Sequence, residues 1–170
     1  MIGGLPEATR YTLGRACFPN LLMPLWAIEG YAVEQESKEK PWGRLHATYT
    51  MMVLRQEVYA NNVKDISLAS HFPREWPAGM VPYLYGGLFV EYVSRNYQTN
   101  YFSALFKENA DNVLPFLMEK NFNDVYNTGA IVLWKKWQEE LHTAVHNAVD
   151  SITKRGLSSY ERITSTGYHT

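Results

Sequence analysis

Residues 25–37 read Leu25-Trp26-Ala27-Ile28-Glu29-Gly30-Tyr31-Ala32-Val33-Glu34-Gln35-Glu36-Ser37, and this stretch organises the reading of the whole chain. It places a carboxylate, Glu29, in a mostly apolar helical segment behind Trp26 and Ile28. A buried carboxylate costs several kcal/mol unless it is paired, hydrogen-bonded or bound to a metal. A partner for Glu29 is therefore expected. An arginine such as Arg44 or Arg55 is one candidate, and a metal ion is another.

Working outward, Pro24 suits the first turn of this helix, where its missing N–H would be unpaired anyway. The helix dissolves into Lys38-Glu39-Lys40-Pro41, and Glu34 to Lys40 reads as a solvated helix end. Leu45, Tyr49, Met52, Val53 and Gln56 recur at helical spacing, which predicts a second helix from Gly43 to Tyr59, ended by Asn61-Asn62. Residues 63–77 read as a loop with one helical turn, punctuated by Pro73 and Pro77. Ala78 to Asn96 is the most apolar segment and is expected to be a central helix. Its interior Gly86-Gly87 pair costs roughly 1 kcal/mol per glycine relative to Ala. That cost points to close backbone approach by another helix or a ligand.

Two short helices are expected at Asn100–Asn109 and Asn112–Glu119, then a long one from Asn123 to Lys154. Leu133, Trp134, Trp137, Leu141, Val145, Ala148 and Ile152 form its apolar stripe, and Arg155-Gly156 closes it. Residues 1–22 carry turn signals around a possible helix, Glu7 to Arg15. The predicted class is mainly α, with about five to seven helices and a long C-terminal one. Residues 1–155 are read as the helical domain and 156–170 as a linker.

The 170 residues are 46% hydrophobic and 14% aromatic, with five Trp and twelve Tyr, so a packed core is expected. A net charge of −1 gives no electrostatic footprint for nucleic acid. Cys17 is the only cysteine, which precludes an internal disulfide, and it reads as a small buried hydrophobe. The N-terminal residues lack a signal-peptide pattern. The longest nearly uncharged run, Met80 to Val90, is about half of a membrane span, so no span is expected.

Trp26-x-x-Glu29-Gly30-Tyr31-Ala32 followed by Glu36 resembles the second zinc-ligand helix of the gluzincin metallopeptidases. Tyr83-Leu84-Tyr85-Gly86-Gly87 resembles the Tyr-x-Lys-Gly-Ala stretch of aminopeptidases in that clan, with Tyr85 in place of the lysine. The pair is most similar to the peptidase-MA-like domains that precede TolB-like β-propellers in bacterial envelope proteins, and the resemblance covers roughly residues 13–150. Arg162-Ile163-Thr164 with Gly167-Tyr168 looks like the run into a first blade.

The resemblance implies Glu29 as a zinc ligand, Tyr83 as hydrogen-bond donor to a tetrahedral intermediate, and Trp26, Gly30, Ala32 and Glu36 as packing or supporting residues. It also implies a peptide or protein substrate and a periplasmic or envelope location. Read without it, Tyr83 is a packed core tyrosine.

The sequence departs from the family at a decisive point. No His-Glu-x-x-His occurs, and the five histidines lie at 46, 71, 142, 146 and 169, all after Glu29. A catalytic zinc needs about three protein ligands and an open position. Both imidazoles and the general base are lacking, and Val33 stands where thermolysin-type relatives keep an acid.

The expectation is a piece of a larger protein, binding no zinc and cleaving no peptide by itself. An upstream zinc helix and a downstream propeller would be its missing neighbours. The exposed seam would favour self-association. A non-catalytic helical scaffold or binding module beside a propeller is the competing reading. His142 and His146, at i and i+4, have metal-binding spacing but flank an apolar stripe, where helix-edge histidines are the plainer reading.

Overall fold

A computed structural model describes residues 20, 22–97, 101–112, 117–156, 158, 159, 161 and 163. The expected helix at 7–15, the environment of Cys17 and most of the blade-like run at 162–168 lie outside them. Among the described residues the secondary structure is helical, without a strand. The helices are α1 (Leu25–Glu39), α2 (Thr48–Tyr59), α3 (Ile66–Ala69), α4 (Val81–Tyr97), α5 (Tyr101–Asp111), α6 (Met118–Tyr126) and α7 (Ala130–Lys154). The mainly α class and the long C-terminal helix are as the sequence predicts.

The apolar run from Val81 buries ten residues of α4, including Leu84, Tyr85, Phe89, Val90 and Val93, and so becomes the central helix. α1 lies along it. Gly30 meets Gly86, while Glu34 and Lys38 share a groove with Glu91 and Arg95, so the two helices run the same way. The Gly86-Gly87 pair is thus explained by another helix. A Cβ on Gly86 would stand 2.4 Å from the Trp26 carbonyl oxygen, and one on Gly87 would stand 2.8 Å from Val33 Cγ1.

Close approach at the glycines lets Trp26 reach the aromatic centre of the fold. Its ring lies 5.2 Å from Phe89, 5.9 Å from Phe122 and 6.0 Å from Trp134. Edge and tilted arrangements of this kind contribute about 0.5–1.5 kcal/mol per pair beyond area burial. α7 supplies Leu133, Trp134, Trp137, Leu141 and Val145 to the same core, and its stripe becomes half-buried at Ala148 and Ile152. Arg155 caps the helix and Gly156 follows with φ +88°.

Three expected helices are corrected, in two places. The single helix from Gly43 is instead a 3₁₀ turn at Arg44–His46, an extended Ala47 and then α2. Tertiary docking makes this break. Gly43 is pressed against Ser37, the Leu45 N–H donates to Ser37 Oγ at 3.1 Å, and Thr50 Oγ1 donates to the Arg44 carbonyl at 2.7 Å.

The second correction is at Asn112–Glu119 and Asn123–Lys154. Asn112 and Leu117 are not helical, α6 begins at Met118, and Asn127 adopts φ +57° between α6 and α7. Left-handed asparagine is a common helix stop. Glu119 Oε1 then accepts from the Ile131 N–H at 2.9 Å, so α6 helps satisfy the start of α7.

Asn121, fully buried, donates to Asn109 at 3.0 Å and accepts from Asn112 at 2.6 Å, joining α6 to α5. Among the described residues no helix is long and apolar enough to cross a membrane. Of residues 156–170, those described are not helical.

Candidate functional site

Glu29 is half-buried on α1 and makes no hydrogen bond or ion pair among the described residues. Neither candidate arginine meets it. Arg44 Nε instead donates to Glu36 Oε2 at 2.8 Å, and Arg55 Nε is buried without a hydrogen-bond partner. The carboxylate that α1 does bury is Glu34, 1% exposed, which corrects both the expected burial of Glu29 and the solvated end expected from Glu34 onward. Helical geometry gives the reason. Glu34 follows Gly30 by four positions and so falls on the face turned to α4, whereas Ile28 and Ala32 face outward and are exposed.

Tyr83 is half-buried near the start of α4. The Arg44 guanidinium lies 5.5 Å from its ring centroid, within cation–π range. Arg44 therefore joins Glu36 and Tyr83, two positions singled out by the resemblance. The 3₁₀ turn that interrupts the expected second helix is what delivers it. Gly30 and Trp26 are buried at the α1–α4 contact. Val33 is fully buried against Gly87, so an acid there would lie in the core.

A buried polar cluster is the feature that sequence reasoning missed. Glu57 on α2 is 1% exposed and Lys64, between α2 and α3, is 3% exposed. Tyr85 Oη donates to Glu57 Oε2 at 3.0 Å, and Lys64 Nζ stands 3.7 Å from the same oxygen and 3.8 Å from Glu75. The Lys64 carbonyl accepts from Trp134 Nε1 at 3.2 Å and Gln138 Nε2 at 2.9 Å, which fixes the loop to α7. Burial, then the Glu57 charge, pushes the Tyr85 hydroxyl well above the usual tyrosine range. Tyr85 thus stays a donor, and its place in the motif is explained by Glu57. The available signal was Glu57 itself, a charged residue beside Val58 and three positions after Leu54, on the stripe that α2 buries.

His142 and His146 have ring centroids 6.4 Å apart, and His146 is exposed beside Tyr59 at 5.2 Å. Among the described residues no three His, Cys, Asp or Glu side chains are grouped to hold a metal ion.

The chain is 33% identical, over 135 residues, to an uncharacterized protein of Treponema pallidum (strain Nichols). The match takes in 79% of this chain and 11% of that protein, so the chain spans only a small part of the relative's length. No family model and no solved structure matches the chain.

The described residues do not by themselves supply the three protein ligands of a catalytic zinc. Glu29 offers one carboxylate, and among the described residues it belongs to no group of three His, Cys, Asp or Glu side chains that could hold a metal ion. What the arrangement presents is narrower: one carboxylate without a partner among the described residues, on a helix packed against α4 at Gly30 and Gly86.

Proposed function

We propose that this chain is the helical part of a gluzincin-type, metallopeptidase-like domain, contributing Glu29 to a site whose remaining groups lie outside it. One observation carries the reading. Glu29 is a half-buried carboxylate without a cation or donor among the described residues, although Arg44 and Arg55 were available by sequence. A group partly removed from water and left unpaired is consistent with a partner supplied from elsewhere. The Treponema pallidum relative is many times longer than the matched region, which is compatible with such an arrangement. Tyr83 is assigned the donor role and Arg44 its positioning, through the contact between guanidinium and ring. No catalytic step is assigned to this chain alone, and a peptide substrate, zinc and an envelope location belong to the same proposal.

A second reading has its own support. Trp26, Gly30, Gly86 and Gly87 are accounted for by the α1–α4 contact, so a non-catalytic scaffold would retain them too. The two readings separate on metal content. A chain extended upstream in its gene, purified and measured by elemental analysis, is expected to hold one zinc per chain and to lose it with Glu29→Ala. Absence of zinc, or zinc unchanged by Glu29→Ala, overturns the ligand assignment and leaves the scaffold.

A further inference from the structure

Leu45, Tyr49, Met52, Val53 and Gln56, whose spacing predicts the second helix, part company in the fold. Leu45 and Val53 are buried, whereas Tyr49, Met52 and Gln56 are exposed. α2 turns Thr50, Val53, Leu54, Glu57 and Val58 to the core. Its other side carries Tyr49, Met52 and Tyr59, each about half exposed, with Gln56 between the last two. Steps of three, four and three residues hold these four side chains on one stripe of the helix. α2 therefore has an apolar stripe on each side, and the outer one is left open to solvent. Tyr59 at its end has a fixed neighbour, its ring lying 5.2 Å from that of His146 on α7.

Three properties of the stripe select a second copy of this chain as its cover. The exposed residues of α2 (Thr48, Tyr49, Met52, Gln56 and Tyr59) include no charged side chain, and Arg55 is half-buried off the stripe. Two copies brought together along it therefore place no like charges in the contact. The spacing of the four side chains also reads the same in both directions. In an antiparallel pair about a two-fold axis, Tyr49 comes level with the partner's Tyr59 and Met52 with the partner's Gln56, the self-complementarity that such an interface requires. The area is adequate as well. Covering the exposed half of each tyrosine and of Met52 removes about 100 Å² apiece from water. With Thr48 and Gln56 added, two copies bury on the order of 1,000 Å², just below the roughly 1,200 Å² of a stable interface. We propose that the outer stripe of α2 is the contact surface of a reversible homodimer, α2 packing antiparallel on the partner's α2. The dimer stands independently of the metallopeptidase-like reading, since it uses neither Glu29 nor Tyr83.

The test is sedimentation velocity of the 170-residue chain from about 5 to about 500 µM, in reducing buffer so that Cys17 forms no disulfide between copies. The mass is expected to rise with concentration from that of one chain towards that of two. Met52→Glu is expected to abolish the rise, since it puts a carboxylate from each copy into the contact. Combining Met52→Glu with Gln56→Lys is expected to restore it, because the antiparallel register sets each new acid level with the partner's new base. Ile28→Glu, on the outward face of α1, should leave dimerisation as it is. All three positions are exposed, and far-UV circular dichroism checks that each variant keeps its helices. A chain that stays monomeric throughout assigns the stripe to some other partner and overturns the proposal. Dimerisation that survives Met52→Glu, or that Ile28→Glu abolishes, overturns it by placing the contact elsewhere. A double variant that stays monomeric overturns the antiparallel register.

Discussion

Gly30 of α1 lies against Gly86 of α4 so closely that a methyl group on Gly30 would stand 2.4 Å from the Gly86 carbonyl carbon. The obstacle is backbone, which has no rotamer to move aside. Two effects of opposite sign compete in Gly30→Ala. Helix propensity favours alanine by about 1 kcal/mol, and overpacking costs about 1–3 kcal/mol or more. Overpacking wins here. Urea denaturation is expected to show Gly30→Ala and Gly86→Ala each less stable by about 2 kcal/mol. Gly79→Ala, whose added carbon would have Phe72 Cδ1 at 3.8 Å, is the matched control and should change little. A stabilised Gly30→Ala would mean that the helices are not in contact at this point.

The Glu57–Lys64 pair should behave as one unit. Removing one partner from a buried pair costs about 3–5 kcal/mol, whereas replacing both by apolar groups can be nearly neutral. Lys64→Met leaves the Glu57 charge with Tyr85 and Asn62, and Glu57→Leu leaves Lys64 with the exposed Glu75. Each single variant is expected to lose about 3 kcal/mol, and the double variant clearly less than their sum. Additive losses in the double-mutant cycle would show that the two charges do not interact.

Alkaline stability follows from Tyr85 and Tyr126. Burial raises both hydroxyls above the ordinary value of 10.0, with the Glu57 charge adding to the rise at Tyr85. The unfolded chain therefore loses these protons first as pH climbs. Stability is fully present below about pH 10 and falls above it, by about 1.4 kcal/mol per pH unit for each such group. Tyr85→Phe removes one contribution, so its stability measured from pH 9 to 11.5 should fall less steeply than that of the parent chain.

Asp65 caps the single turn of α3, its side chain accepting from Ser67 N at 2.9 Å and Leu68 N at 3.1 Å. The Ser67 hydroxyl, then these amides, hold its carboxyl below the ordinary value of 3.8. The contribution is present above about pH 4 and is lost as pH falls through the lower folded value. Asp65→Ala should cost about 1 kcal/mol and speed hydrogen exchange at Ser67 and Leu68, while Asp65→Asn should largely preserve the cap. Unchanged exchange in Asp65→Ala would remove the capping role.

Much of the helical plan was legible because its signals are local. Pro24 and the Lys40-Pro41 boundary bracket α1, the uncharged run marks α4 as central, and the Trp and Leu stripe with Arg155-Gly156 defines α7. The breaks at Ala47 and Asn127 were less legible. Gly43 leaves the helix because Ser37, six residues earlier, offers Leu45 N–H a partner on a neighbouring element. Periodicity within one segment cannot show that.

The candidate site divides in the same way. Sequence by itself singled out Glu29 and Tyr83 as candidates to carry chemistry and determined that no His-Glu-x-x-His motif is present. It also placed the glycines where backbones must meet. Only the tertiary structure decided which carboxylates are buried. Glu34 and Glu57 go inside because the α1–α4 contact and the Lys64 loop close over them, while Glu29 keeps a half-exposed face and Arg44 turns to Glu36 and Tyr83. Burial and charge pairing are properties of neighbours in space, and a helix alone fixes only which residues share a face.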